Sequence, residues 1–165
     1  MRRWNRGWIL FAAGLVLGMV AIKSIEAQQE KGIGLRVNHV GINVKNLQES
    51  IDYYTKTLGM REGFLMRDRS GNPTTMYVQV DKYTFLELAQ SNADRPVGIS
   101  HVGFQTENLS DTIAELQKRG ITVPAPSSAG SGAPHSSIND PNGVRLELLE
   151  FAPGSMQRKA IEAYK

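Results

Sequence analysis

The 165-residue chain contains no cysteine. That excludes a disulfide framework, a thiolate zinc site, a cysteine nucleophile and a lipidated cysteine. Aromatic residues are sparse at 7%, and charged residues at 21% are an ordinary fraction that rules out a disordered chain. Only one stretch is long, uncharged and apolar almost throughout, from Gly7 to Ile22, so the chain is not a polytopic membrane protein. A hydrophobic content of 41% can supply one modest core, or two small similar modules.

The single apolar run sits in a recognisable order. Arg2, Arg3 and Arg6 precede it, Lys23 closes it, and Ala27 stands before Gln28 and Gln29. A basic start, a short apolar middle and a small residue at the end describe a secretory leader, here residues 1–27. The expectation is export to a periplasmic or secreted location. The alternative is an uncleaved membrane anchor over residues 8–22, although that run is short for a span needing about 20 residues.

Removing the leader changes the charge. The whole chain has 19 Lys plus Arg against 16 Asp plus Glu, a formal +3. Four of the bases (Arg2, Arg3, Arg6, Lys23) and one acid (Glu26) belong to residues 1–27, which leaves 15 of each sign in the body. A neutral body without a Lys/Arg stripe gives no electrostatic case for nucleic acid.

The body is written twice. Val37-Asn38-His39-Val40-Gly41-Ile42-Asn43-Val44-Lys45-Asn46-Leu47 reads in step with Ile99-Ser100-His101-Val102-Gly103-Phe104-Gln105-Thr106-Glu107-Asn108-Leu109. Amphipathic stretches follow each copy, with Ile51, Tyr54 and Leu58 in the first and Ile113 and Leu116 in the second. Asn46 and Asn108, or Ser50 and Ser110, are candidate caps, and Gly59 and Gly120 are candidate stops. Strand-like segments follow: Met76–Val80, Thr84–Leu88, Ile121–Val123 and Gly143–Leu149. Turn-rich breaks fall at 68–73, 91–96, 124–134 and 140–143. The expected fold is α+β, two tandem strand–helix–strand–strand–strand modules over about 35–92 and 97–151, with a tail of 152–165 that adds one short helix.

The repeat aligns two carboxylates as well as two histidines. Glu87 lies in Phe85-Leu86-Glu87-Leu88 and Glu147 in Arg145-Leu146-Glu147-Leu148. A lone strand histidine is ordinarily a hydrogen-bonded structural residue, and a strand glutamate ordinarily faces water. Recurrence of both types at matching places in both halves favours a shared site. Two imidazoles and two carboxylates form a nitrogen/oxygen set suited to Zn²⁺, Ni²⁺, Mn²⁺, Fe²⁺ or Co²⁺. Two ionised Glu and two neutral His would balance a divalent charge. Gly41 and Gly103 mark strand positions that need close approach. His135, after the glycine-rich 130–132 loop, is a candidate substrate contact on a lid, against the alternative of a solvated loop histidine.

At His39-Val40-Gly41, at Ser50-Ile51-Asp52-Tyr53-Tyr54-Thr55-Lys56-Thr57-Leu58-Gly59-Met60, and at Asp140-Pro141-Asn142-Gly143 with Glu147, the sequence resembles the vicinal oxygen chelate superfamily of glyoxalases, bleomycin-resistance proteins and extradiol dioxygenases. The resemblance implies paired βαβββ modules whose curved mixed sheet encloses a divalent metal, with ligands carried over to His39, Glu87, His101 and Glu147. It is nearest in ligand pattern to metal-dependent glyoxalase I, which implies a lyase or isomerase moving a proton beside a carbonyl. Glu147 is then the first candidate base and Glu87 the second. An extradiol-type iron dioxygenase, with two His and one carboxylate, and a metal-free antibiotic-binding protein are the alternatives. The resemblance also implies a homodimer, and a substrate contact four residues after the first His. Glyoxalases usually place a basic residue there, and this chain has Asn43.

Overall fold

Alternation along β1 (Arg36–Val44) buries Asn38, His39, Gly41, Asn43 and Val44, so a polar row shares the strand with apolar ones. The computed structural model describes residues 32–128 and 130–165; the expected leader over 1–27 lies outside the described residues. Residues 34–165 form one compact unit.

After β1 come α1 (Leu47–Asp52), continued by one π-helical turn at Tyr53–Thr57, then β2 (Arg61–Arg67), β3 (Pro73–Gln79) and β4 (Phe85–Gln90). The order repeats with β5 (Gly98–Thr106), α2 (Leu109–Lys118), β6 (Ser127–Ser128), β7 (Pro134–Asn139) and β8 (Arg145–Glu150), and α3 (Met156–Glu162) follows. All eight strands join one curled mixed sheet in the order β2-β3-β4-β1-β5-β8-β7-β6. β1 runs parallel to β4 and β5 parallel to β8, while β1 and β5 pair antiparallel at the centre. Each module therefore places its first strand inside and its second strand at the edge.

Local chemistry explains the helices. Asn46 and Asn108 accept hydrogen bonds from the backbone of Glu49 and Asp111 at 3.1 and 3.0 Å, satisfying first-turn donors. Ser50 lies within its helix and donates to the Asn46 carbonyl instead. Gly59 and Gly120 leave the helices at φ of 70° and 81°, where a side chain would be strained. On the outer face, Leu47 and Ile51 pack with Val44, Met76, Val78 and Leu88.

Two local expectations need correction. Ile121–Val123 is not a strand: the segment runs irregularly, and the second strand of module 2 is the two-residue β6, inside the stretch read as loop. Its neighbours Pro124 and Pro126 have no N–H to give a ladder. His135 lies on β7, paired with Leu149 and Ser127, rather than on a lid.

The C-terminal helix covers a second core. Ala160 and Ile161 pack with Tyr77, Phe85, Ala133, Leu149 and Phe151, so residues from both halves meet beneath the tail. Among the described residues no helix is long and apolar enough to cross a membrane.

Candidate metal centre

The central β1/β5 pair places the two histidines. Its register sets His39 opposite Gly103 and Gly41 opposite His101, with Val40 facing Val102 between them. A Cβ built on Gly41 would overlap the His101 ring, and one on Gly103 would overlap the His39 ring. Each glycine thus makes room for the other module's imidazole. Register shifts between Val37 and His39 and between Gly41 and Ile42 bracket the first of these motifs, as bulges do where a strand must re-aim side chains.

The outer strands bring the carboxylates. β4 sets Glu87 beside Gly41, and β8 sets Glu147 beside Gly103. The four groups converge: His39 Nε2 lies 2.9 Å from His101 Nε2, 3.3 Å from Glu87 Oε2 and 3.2 Å from Glu147 Oε2. His101 Nε2 lies 3.4 and 3.5 Å from the same two oxygens. One ligand atom from each residue lies within 4.8 Å of all the others. Donors bound at about 2.0–2.2 Å from one cation stand about 2.9–3.5 Å apart at right-angle to tetrahedral separations, so the residues fit a divalent ion.

Each of the four groups also has an outer partner. His39 Nδ1 donates to Asn38 Oδ1, which leaves the Nε2 lone pair aimed at the other three groups. His101 Nδ1 lies 2.9 Å from Ser100 Oγ. Tyr77 donates its hydroxyl to Glu87 Oε2 at 2.6 Å, and Arg145 Nη2 donates to Glu147 Oε1 at 3.1 Å. Orientation by such partners is what metal-binding side chains commonly need. Lone pairs facing one another without a cation repel, and protonation is then the remaining relief.

The electrostatics show that tension. Burial works against charging the imidazoles, but hydrogen bonds to Glu147 and Glu87 outweigh it, so His39 is raised and His101 is pushed up to about 9. Burial likewise opposes ionised carboxylates, yet the His101 and His39 contacts dominate and hold Glu147 at about 2 and Glu87 well below the carboxylate range. Burial, then the Glu87 charge, raises Tyr77 well above the usual phenol value, while the Gln157 amide pulls the other way. Tyr77 therefore stays a donor.

Asn43 and His135 lie outside this cluster. The Asn43 amide donates to the Pro96 carbonyl at 3.1 Å and ties β1 to the linker. His135 Nε2 lies 3.2 Å from Ser127 Oγ, and its Nδ1 is buried without a hydrogen-bond partner. Cross-strand register sets His135 beside Leu149 and Ser137 beside Glu147. Sequence reasoning did not single out Asn38, Ser100, Tyr77 or Arg145. The first two had a signal, since each is the polar residue directly before a motif histidine in both copies. Tyr77 had none, because its approach to Glu87 depends on the β3/β4 register.

Comparison with known proteins agrees with this geometry. Residues 36–148 match the family model described as the Glyoxalase/Bleomycin resistance protein/Dioxygenase superfamily. The lactoylglutathione lyase of Escherichia coli O157:H7 is 26% identical over 129 residues, covering 70% of this chain and 93% of that protein. A probable chloroplastic lactoylglutathione lyase of Arabidopsis thaliana is 27% identical over 128 residues, and there the match spans 72% of this chain but only 36% of the relative. Among solved structures, methylmalonyl-CoA epimerase from Mycobacterium tuberculosis superposes with a TM-score of 0.64 at 21% identity, covering 77% of this chain and 96% of that one.

Proposed function

The chain belongs to the glyoxalase, bleomycin-resistance and dioxygenase superfamily, and on that footing we propose that it is a divalent-metal-dependent enzyme of glyoxalase-like lyase or isomerase type, acting on a small carbonyl substrate. The observation that carries this reading is the convergence of His39, Glu87, His101 and Glu147 within 4.8 Å. A divalent cation held by these four supplies Lewis-acid stabilisation for negative charge developing on neighbouring substrate oxygens.

The rest of the chemistry falls to the chain itself. Glu147 Oε2 is the first candidate to take a proton from the carbon beside the carbonyl and return it to the adjacent carbon, while the hydroxyl proton passes from one substrate oxygen to the other, so the isomerisation gains and loses nothing. Its other oxygen is anchored by Arg145, so the carboxylate can pivot without leaving the site. Glu87, tied by Tyr77 through its site-facing oxygen, is the better-fixed ligand. Burial of both histidines keeps bulk water from competing at the centre. General-base transfer of this kind contributes about 10²–10⁴-fold.

Glu87 also argues against the extradiol reading, since a dioxygenase of that type uses two histidines and one carboxylate. A metal-free binding protein would have no use for four converging donors. Asn43, spent on the Pro96 carbonyl, offers no cation for a cosubstrate carboxylate, so the proposal stops short of glutathione. The leader over 1–27 supports an exported protein, periplasmic or secreted, and by family likeness a homodimer.

Elemental analysis of the purified chain, followed by deuterium exchange into 2-oxo and hydroxy-carbonyl compounds, tests the reading. The expected result is one divalent ion per chain and exchange that stops on chelation. A chain that purifies and reconstitutes without any divalent metal would overturn it.

A further inference from the structure

The C-terminal helix lies beyond residue 148, where the family match ends, yet it packs against Tyr77, whose hydroxyl meets Glu87. Gln157, on the first turns of α3, is 1% exposed. Its Nε2 donates to Ser131 Oγ at 3.1 Å, Ala160 and Ile161 of the same helix share the buried cluster of Tyr77, and the amide lies close enough to the Tyr77 hydroxyl to favour its ionised form. That hydroxyl in turn donates to Glu87 Oε2, the oxygen lying 3.3 and 3.4 Å from the two imidazole nitrogens.

The Tyr77 ring has little freedom to point elsewhere. Phe64 stacks on it at 4.4 Å and 15°, while Phe85 and His39 meet it edge-on at 6.1 and 5.8 Å. Gln157 is fixed as firmly. Met156 N donates to the Ser131 carbonyl at 2.8 Å, Gln79 Nε2 to the Ala160 carbonyl at 3.4 Å, and Arg61 Nη2 to the Ala163 carbonyl at 2.8 Å. Yet the Gln157 carbonyl oxygen is buried, and among the described residues nothing donates to it. An apolar side chain in the same space would avoid that cost, so the N–H side of the amide is what the site uses.

The geometry points to Tyr77 and Gln157 as positioning residues through which the C-terminal helix holds Glu87 in place as a metal ligand. Support runs one way, from the Gln157 amide acting on the Tyr77 oxygen to the hydrogen bond that the Tyr77 hydroxyl donates to the carboxylate. An amide dipole acting on the phenol oxygen polarises the O–H and strengthens the bond it donates. The second module has no matching device: Ser137 occupies the register position of Tyr77, and the half-exposed Arg145 holds the outer oxygen of Glu147. The two carboxylates are therefore held unequally. The helix restrains Glu87 on its site-facing oxygen, and Glu147 keeps that oxygen free.

This inference rests on the metal-site reading above, and Co²⁺ alone is the probe that separates the two. The full chain, Tyr77→Phe, Gln157→Leu and the double variant are titrated with Co²⁺, with the visible spectrum recorded and thermal unfolding as the control for folding. Tyr77→Phe should weaken Co²⁺ binding about 10–100-fold and alter the spectrum, as loss of a ligand's outer partner does. Gln157→Leu should weaken it less, and the double variant should be no weaker than Tyr77→Phe, because Gln157 acts through the phenol. Unchanged affinity and spectrum in Tyr77→Phe overturn the inference, as does a Gln157→Leu effect that simply adds to it. Should Tyr77→Phe fail to fold, Gln157→Leu decides alone by the same two readouts. A wild-type chain that binds Co²⁺ but exchanges no protons defeats the proposed reaction and leaves the positioning role standing. One that binds no Co²⁺ defeats both.

Discussion

Gly41 and Gly103 stand opposite His101 and His39, and an alanine at either place would push a methyl group into an imidazole ring. The backbone of a central strand pair cannot retreat, so the ring must move. Gly103→Ala is expected to destabilise the fold by about 1–3 kcal/mol and to weaken divalent-metal binding at least tenfold, measured by denaturant unfolding and metal titration. The carboxylates separate by chemistry instead. Glu147→Gln should lower proton-exchange turnover by about 10²–10⁴-fold, whereas Glu87→Gln should act first on metal affinity. A Glu147→Gln chain with full turnover would move the base elsewhere.

The same residues predict a pH response. In the metal-free protein His101 is raised from 6.5 to about 9, so its contribution to stability is complete below pH 6.5 and is lost as pH rises through 9. Glu147 is lowered from 4.5 to about 2, so its contribution is complete above pH 4.5 and is lost as pH falls through 2. Metal-free stability should therefore be greatest between pH 4.5 and 6.5. Metal binding has the opposite demand, because the imidazoles must be neutral to coordinate. Co²⁺ affinity should rise steadily from pH 6.5 to 9, and an affinity flat across that window would contradict the proton competition.

Among the elements, the helices follow short-range rules and the second strands do not. Asn46 and Asn108 occupy equivalent cap positions, so Asn108→Ala should cost about 1 kcal/mol in chemical unfolding, and Asn46→Ala a similar amount. The terminating glycines were legible because each acts within one turn of its own helix, and the caps were legible only as Asn or the nearby Ser, between which the side-chain geometry decides. β6 was not. A two-residue strand flanked by Pro124 and Pro126 leaves no alternating pattern, and its pairing with His135 and Pro134 is set by β7. α3 was legible as a short helix in the tail, but its seat over Tyr77 and Phe85 was not, since nothing local in residues 153–165 specifies which surface they cover.

Over the whole molecule, the two modules meet along β1 and β5, and each supplies one histidine and one glutamate to a centre at that seam. An ion bound there ties four strands from both halves of the chain. A ligand that binds only the folded state stabilises it by mass action, about 2.7 kcal/mol at a hundredfold excess over Kd. Thermal unfolding should accordingly shift upward with added Zn²⁺ or Co²⁺ and back down with a chelator. A midpoint indifferent to both would mean that the four groups hold no metal in solution.

The sequence by itself determined the duplication, the two His-Val-Gly strands, the helix stops with two candidate caps for each helix, the neutrality of the body and the four residues with ligand chemistry. All are properties of local pattern, or of two copies compared with each other. Only the tertiary structure decided that each glycine faces the opposite module's histidine, that Tyr77 and Arg145 hold the two carboxylates on different oxygens, and that the C-terminal helix packs over Tyr77. Those facts depend on register across strands far apart in the chain. Register is settled by the packing of the whole sheet, where a slip of one residue turns every side chain to the other face.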